Sequence, residues 1–214
     1  MTTFLFKPLT DEPLRRLHQA FLDAFSDSPV PLTLTFEEYQ KMLKRRGVRL
    51  AISIGAFRQP DNELVGIMLN GQRSWQGKRT AYDLMTGVTP NNRQQGLTQR
   101  MFKEVLHALA QNGVEQYLLE VLQENTAALS LYKKQGFSIT RAFYVYELML
   151  DKVSLTPASH DVQFSHKVTA IDWQRLTDFW SFSPSWQNSI ESIEAVAEAF
   201  ECATVWHNKK IVGY

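Results

Sequence analysis

One passage restricts the fold more than any other part of the chain. Residues 80–88 read as a strand and lead through Thr89-Pro90 into the glycine turn Arg93-Gln94-Gln95-Gly96-Leu97-Thr98, which opens a helix. A strand at residues 117–121, a helix from Asn125 to Gly136 and a strand at residues 143–150 follow. The helix after the turn carries Met101, Phe102, Val105, Leu106 and Leu109 on one face and stops at Asn112-Gly113, a glycine C-terminus. Helices, then antiparallel strands, then this strand-helix-strand-helix-strand passage imply an α/β (α+β) fold: a mixed, mainly antiparallel sheet with helices on both faces.

The elements before the passage agree with it. Asp11-Glu12-Pro13 begins a helix that places Leu14, Leu17, Phe21 and Phe25 on one face, and Ser26 to Pro31 breaks it. Thr35 and Glu38 form a capping box for a helix that buries Phe36, Tyr39, Met42 and Leu43 and ends at Gly47. Lys44-Arg45-Arg46 reads as favourable charge at that helix C-terminus, a blander role than a docking patch. Residues 50–57 and 64–70, joined by the polar turn 59–62, read as a hairpin.

Beyond a linker at residues 151–161 the chain makes a second beginning. Leu176 to Trp180 followed by Ser181-Phe182-Ser183-Pro184 echoes Phe21 to Phe25 followed by Ser26-Asp27-Ser28-Pro29, and residues 210–214 answer residues 63–67. Residues 1–150 are expected to form one domain and residues 162–214 a partial second copy lacking its own phosphate turn. In that fragment Trp173, Trp180, Phe182 and Trp186 are expected to supply a small core, with Ile193, Val196, Ala197 and Phe200 on one helical face.

The 214 residues include 23 basic and 22 acidic side chains, a formal net charge of +1. That balance offers no global field for nucleic acid or an anionic membrane. No run approaches the ~18 apolar residues of a membrane span, and the N-terminus lacks the basic region of a signal peptide. The single cysteine, Cys202, has no partner for an internal disulfide, and no C-x-x-C pair or close histidine cluster has metal-ligand spacing. A cytoplasmic protein without a metal is expected. His107 reads as a helix-surface residue, His160 and His166 flank the linker without a third ligand, and Cys202 reads as a packed strand residue.

A strand that ends in a glycine turn and opens a helix presents unpaired backbone N–H groups at the positive end of the helix dipole, where phosphates bind. Gly96 permits close approach, Arg93 adds a charged donor at the rim, and Thr98 adds a hydroxyl. No G-x-G-x-x-G or G-K-[ST] accompanies the turn, which disfavours a dinucleotide or nucleoside triphosphate. In the later helix Asn125 is an N-cap, Tyr132 lies two turns on along nearly the same face, Ala128 and Leu131 fill the sheet side, and Gly136 closes the helix in the αL conformation.

In these two motifs the chain resembles the GNAT superfamily of acyl-CoA-dependent N-acyltransferases. Arg93, Gly96 and Thr98 take the family's R/Q-x-x-G-x-G/A turn, with Thr98 in place of the commoner glycine or alanine; Asn125, Ala128, Leu131, Tyr132, Gly136 and Phe137 match N-x-x-A-x-x-L-Y-x-x-x-G-F. The resemblance covers about residues 1–150. It implies that backbone amides of Gln94, Gln95, Gly96, Leu97 and Thr98 hold the pyrophosphate of acetyl-CoA. Val88 would pair its backbone with the pantetheine arm, Asn125 would hydrogen-bond that arm, Ala128 counts among the cofactor-binding positions of the same motif, and Tyr132 would stand by the sulfur.

An alkylamine with a pKa near ~10.4 is mostly protonated at neutral pH, so transfer requires a route for its proton. Asp83, Glu120, or a water held by either, are the candidates. A main-chain N–H would stabilise the developing oxyanion, and the Tyr132 phenol would donate to the departing thiolate. The expected acceptor is a small-molecule or peptide amine, and the partial copy is expected to cap the first domain or make a homodimer. The alternatives are a noncatalytic acyl-CoA-binding regulatory module, or transfer of an aminoacyl or longer acyl group.

Overall fold

The computed structural model describes residues 2–28, 32–149, 151, 161–165 and 170–214. The chain divides into two compact units, Met1–Glu120 with Ser185–Val196, and Val121–Pro184 with Ala197–Tyr214.

The first unit is built on a five-stranded sheet, β1 (Thr3–Pro8), β2 (Ile54–Gln59), β3 (Glu63–Trp75), β4 (Lys78–Val88) and β5 (Gln116–Leu118), in that spatial order. The first four strands pair antiparallel, and β5 joins β4 in parallel through Thr80, Ala81 and Tyr82. Alternation along β3 assigns the two faces. A Cβ on Gly66 would meet Met101 of α3 (Leu97–Gln111) at 3.2 Å, whereas one on Gly71 would meet the carbonyl of Arg46, the last residue of α2 (Phe36–Arg46), at 2.4 Å. Helix α1 (Leu14–Ala24) shares the α2 side, where Ala24 and Phe25 crowd Gly87. One core, of Leu17, Phe21, Tyr39, Leu43, Ile67, Leu69, Tyr82, Leu84 and Met85, fills the space under α1 and α2. The other face is covered by α3, through buried Met101, Phe102, Val105 and Leu109.

A bulge shapes the middle of β4. The register slips between Leu69 and Asn70, so Met85 opposes Leu69 while Asp83 opposes Asn70. Leu84 and Met85 both join the α1/α2 core, and Asp83 and Thr86 face the opposite way.

The second unit contains α4 (Thr126–Lys134), β6 (Asp161–Ser165), α5 (Ala170–Leu176), β7 (Cys202–His207) and β8 (Lys210–Gly213), with the strands antiparallel in the order β6-β7-β8. Asn208 and Lys209, both at positive φ (49° and 62°), make the tight turn between β7 and β8. Trp173 and Leu176 are buried, the indole of Trp180 donates to the Tyr214 hydroxyl, and Arg141 donates to the carbonyls of Ser183 and Pro184.

Several expectations change. Residues 3–8, assigned no element from the sequence, are the edge strand β1. The hairpin's first strand begins at Ile54, after a 3₁₀ turn at Leu50–Ile52. The strand expected at 117–121 ends at Leu118, and residues 143–149 form no strand, leaving Tyr144, Val145 and Tyr146 exposed. The single helix expected through 193–200 is a short α6 (Ile190–Glu194) and a separate 3₁₀ turn at Ala197–Ala199. Trp186, expected in the core of the C-terminal fragment, is buried in the core of the first unit. Most of the expected linker, with His160 and His166, lies outside the described residues.

Candidate functional site

The turn after β4 is held by the chain's own polar groups. The Asn92 amide is buried and donates to Thr89 Oγ1 (3.0 Å), and Arg93 N bonds Pro90 O. Gln94 and Gly96 then take positive φ, 60° and 73°. A Cβ on Gly96 would meet nothing within 4 Å, so the conformation selects glycine, and the space above it is open. Gly96 is the N-cap of α3, no side chain caps the helix, and the first intrahelical bond runs from Arg100 N to Gly96 O (3.1 Å). The amides of Leu97, Thr98 and Gln99 therefore precede the helix ladder. Leu97 anchors the turn with a buried side chain, while Gln94, Gln95 and Gly96 are exposed.

Arg93 behaves differently from the sequence expectation. Its guanidinium forks onto Asp27 (2.6 and 2.7 Å), and it also donates to the carbonyls of Val88 (Nε, 3.0 Å) and Ala24 (Nη2, 3.0 Å). The Arg93 hydrogen bond holds the Asp27 carboxyl below its ordinary range. Arg93 thus staples the phosphate-type turn to the end of α1, and the rim donor expected at this position is occupied within the protein. It also takes the Val88 carbonyl, leaving the Val88 N–H as the strand's contribution at that point.

Past Tyr82, β4 runs on to Val88 while β5 has ended at Leu118, so residues 83–88 have a free outer edge among the described residues. The two candidate carboxylates differ sharply there. Asp83 is buried on the α3 side; its Oδ2 accepts from Thr86 Oγ1 (2.8 Å), its Oδ1 has no partner, and burial pushes its pKa up to about 7. Nearby on the same face the Tyr117 hydroxyl donates to Asn70 Oδ1 (2.6 Å). Glu120 is exposed, two residues beyond the end of β5.

A second polar cluster, unforeseen from sequence, sits on the α2 side of β4. Trp186 stacks on Tyr82 with centroids 5.1 Å apart and planes 3° from parallel, and its indole donates to Arg46 O (3.0 Å). The neighbouring Gln187 accepts from Arg46 Nη2 (2.6 Å) and donates to the Tyr82 hydroxyl (3.3 Å) and Glu120 Oε2 (3.4 Å). Burial in this cluster raises the Tyr82 pKa. The one sequence signal for it was Trp186 itself, too large and apolar to be left in a polar stretch.

Asn125, Ala128 and Tyr132 belong to the second unit. Asn125 Oδ1 accepts from Ala128 N (3.1 Å), an ordinary N-cap, and Gly136 closes the helix at φ 92°. The half-buried Tyr132 ring meets Phe137 edge-on at 5.7 Å, so the last two motif positions support one another. Cys202 is half-buried, with burial raising its thiol pKa, as befits a packed residue. His107 is exposed and accepts from Gln111 of its own helix. Among the described residues no His, Cys, Asp and Glu group could hold a metal. A concavity of about 640 Å³ lined by Arg49, Arg73, Arg79 and Glu115 lies at the β3–β4 hairpin end, away from Val88, and contains none of the expected residues.

The acetyltransferase (GNAT) family profile matches residues 13–137. No curated protein matches the chain. Among solved structures, the NatC complex bound to Gag peptide and CoA matches with a TM-score of 0.53 and 18% identity over 64% of this chain and 86% of that one. An aminoglycoside acetyltransferase from an uncultured soil metagenomic sample, in complex with sisomicin, matches with a TM-score of 0.51 and 17% identity over 69% and 97%. Glucosamine-6-phosphate N-acetyltransferase from Arabidopsis thaliana matches with a TM-score of 0.50 and 12% identity over 69% and 99%. At these identities the likeness is one of fold.

Proposed function

The chain belongs to the GNAT acetyltransferase family, and from that premise we propose that it transfers the acetyl group of acetyl-CoA to a primary amine of a small molecule. The observation that carries this reading is the uncapped start of α3, where an αL glycine with open space above it follows directly on the free edge of β4. Backbone amides from Gln94 to Thr98 would hold the pyrophosphate without a basic side chain, consistent with Arg93 being engaged by Asp27. The Val88 N–H would serve the pantetheine arm, with Asn125 and Ala128 of the second motif contributing to the same cofactor. The small-amine acceptor rests on family likeness, since the aminoglycoside and glucosamine-6-phosphate enzymes above carry such acceptors in their names.

Acetyl-CoA supplies the activated acyl group; the protein supplies geometry and proton management. The amine nitrogen bonds to the acyl carbon, the carbon–sulfur bond breaks, and one proton leaves the nitrogen as the thiolate gains one. Asp83 suits the base role by its pKa of about 7, and Glu120 by its access to solvent. Tyr132 donates to the thiolate. We further take residues 162–214 as a partial copy of the first domain's opening: β6, β7 and β8 repeat the order and sense of β1, β2 and β3. A cytoplasmic location and a homodimer through that copy belong to the same proposal.

Isothermal titration with CoA, paired with thiol-release assays over a panel of amines, tests this. Binding with amine-dependent CoA release is the expected result. Binding without release by any amine would instead identify a regulatory acyl-CoA-binding module, and absence of binding would remove the cofactor reading.

A further inference from the structure

Three arginines meet the Ser185–Val196 segment, and they are not equivalent. Arg45 donates to Gln187 O (3.0 Å) and Asn188 Oδ1 (2.9 Å), and Arg73 donates to Ser189 Oγ (3.2 Å), Ser192 Oγ (2.6 Å) and Arg45 O. Both serve to clamp the segment on the first unit. Arg46 donates from Nη1 to Leu84 O (3.0 Å) and from Nη2 to Gln187 Oε1 (2.6 Å). Among the described residues its Nε–H and the second hydrogen on each Nη have no acceptor, and no carboxylate there forms an ion pair with it. A half-buried guanidinium held only by neutral oxygens is a cation short of an anion. Burial lowers its pKa, and the charge of Glu120, which makes no direct contact with it, offsets that only in part.

The charge of Glu120 reaches it only across a neutral group. The Gln187 amide lies between them, its oxygen on Arg46 and its nitrogen on Glu120 (3.4 Å), so that one primary amide spans the distance from cation to anion. Glu120 is exposed at the point where β5 has left β4, on the free edge proposed to serve the pantetheine arm. A ligand that satisfied both ends would carry a negative and a positive group only a few bonds apart. The Tyr82 hydroxyl, also bonded to Gln187, and the Trp186 ring stacked on Tyr82 form a rigid support for that arrangement.

We propose that Arg46, Gln187 and Glu120 form an acceptor subsite for a zwitterion, an amine with a carboxylate on an adjacent carbon, as in a free α-amino acid. The guanidinium fork takes the carboxylate, Glu120 takes the ammonium, and Gln187 holds the two protein charges from collapsing onto each other. The segment the sequence assigns to a separate fragment thereby becomes part of substrate selection. This rests on the acetyltransferase reading for the transfer step, but not for binding.

The test compares alanine with alaninamide, by calorimetry on the CoA-saturated full-length protein and by CoA release. Alanine should bind and react at least roughly tenfold better, the scale of one charge-assisted hydrogen bond. Arg46→Lys, which keeps the charge but loses the fork, and Glu120→Gln, at an exposed position that leaves folding intact, should each weaken alanine binding roughly tenfold while CoA affinity stays constant. Equal binding of alanine and alaninamide, no measurable alanine binding, or alanine binding unchanged in both variants overturns the subsite. Carboxylate-free amines acetylated in preference to alanine would sustain the acetyltransferase reading and sink this one. Alanine bound selectively but never acetylated would do the reverse.

Discussion

Asp83 is a polar group largely closed off from solvent: it is 6% exposed, and its Oδ1 has no partner among the described residues. Burial lifts its pKa from 3.8 to about 7, so across that window the folded protein holds a proton the unfolded chain has lost. Stability must therefore fall as pH rises from about 4 to about 7 and level off above. Urea denaturation from pH 4 to 8 should show this slope in the wild type and its loss in Asp83→Asn, which should be the more stable protein at pH 8; a wild-type slope of the opposite sign would place an ionised carboxylate there. Gly96 poses a conformational problem instead. Gly96→Ala has room for its methyl but forces an L-residue to φ 73°, so about 1–2 kcal/mol of stability should be lost, with CoA affinity falling further because the methyl enters the space proposed for phosphate. Tyr132→Phe should slow turnover by at most roughly 10²–10⁴-fold with CoA binding nearly intact, and unchanged turnover would remove the phenol from the mechanism.

At the scale of elements, local signals were legible and pairing was not. The capping box of Thr35 and Glu38 stands as read, with Glu38 N on Thr35 Oγ1 (3.2 Å) and Thr35 N on Glu38 Oε2 (2.7 Å), because every atom involved lies within one turn. Gly47, Gly113 and Gly136 end their helices at positive φ for the same reason. In contrast, β1 is a strand because β2 lies beside it, and residues 143–149, with a strand-forming composition, have no partner strand among the described residues. The Ser185–Val196 segment carries the clearest energetic consequence. Trp186→Ala should cost about 3–5 kcal/mol in denaturant titration, since the ring is 1% exposed within the first unit's core, whereas Phe182→Ala, at 72% exposure, should stay within about 0.5 kcal/mol. Similar losses from both would return Trp186 to the surface role of its neighbours.

For the molecule as a whole, a formal charge of +1 leaves recognition to local groups, and ligand linkage becomes the broadest readout. CoA at a hundredfold excess over its Kd should stabilise the protein by about 2.7 kcal/mol, or a rise in melting temperature of roughly 5–10 °C. A flat melting curve with added CoA would count against a cofactor site. What the sequence by itself determined was the family, through the spacing of Gly96, Asn125 and Tyr132, together with the glycine turn and the helix caps, because those depend on neighbours a few residues apart. What only the tertiary structure decided was partnership across the chain. Arg93 closes onto Asp27 from 66 positions away, the bulge at Leu69/Asn70 turns Asp83 into the α3 side, and Trp186 brings Gln187 between Arg46 and Glu120. No periodicity encodes such contacts: desolvation and ion pairing depend on which surfaces the folded chain brings together.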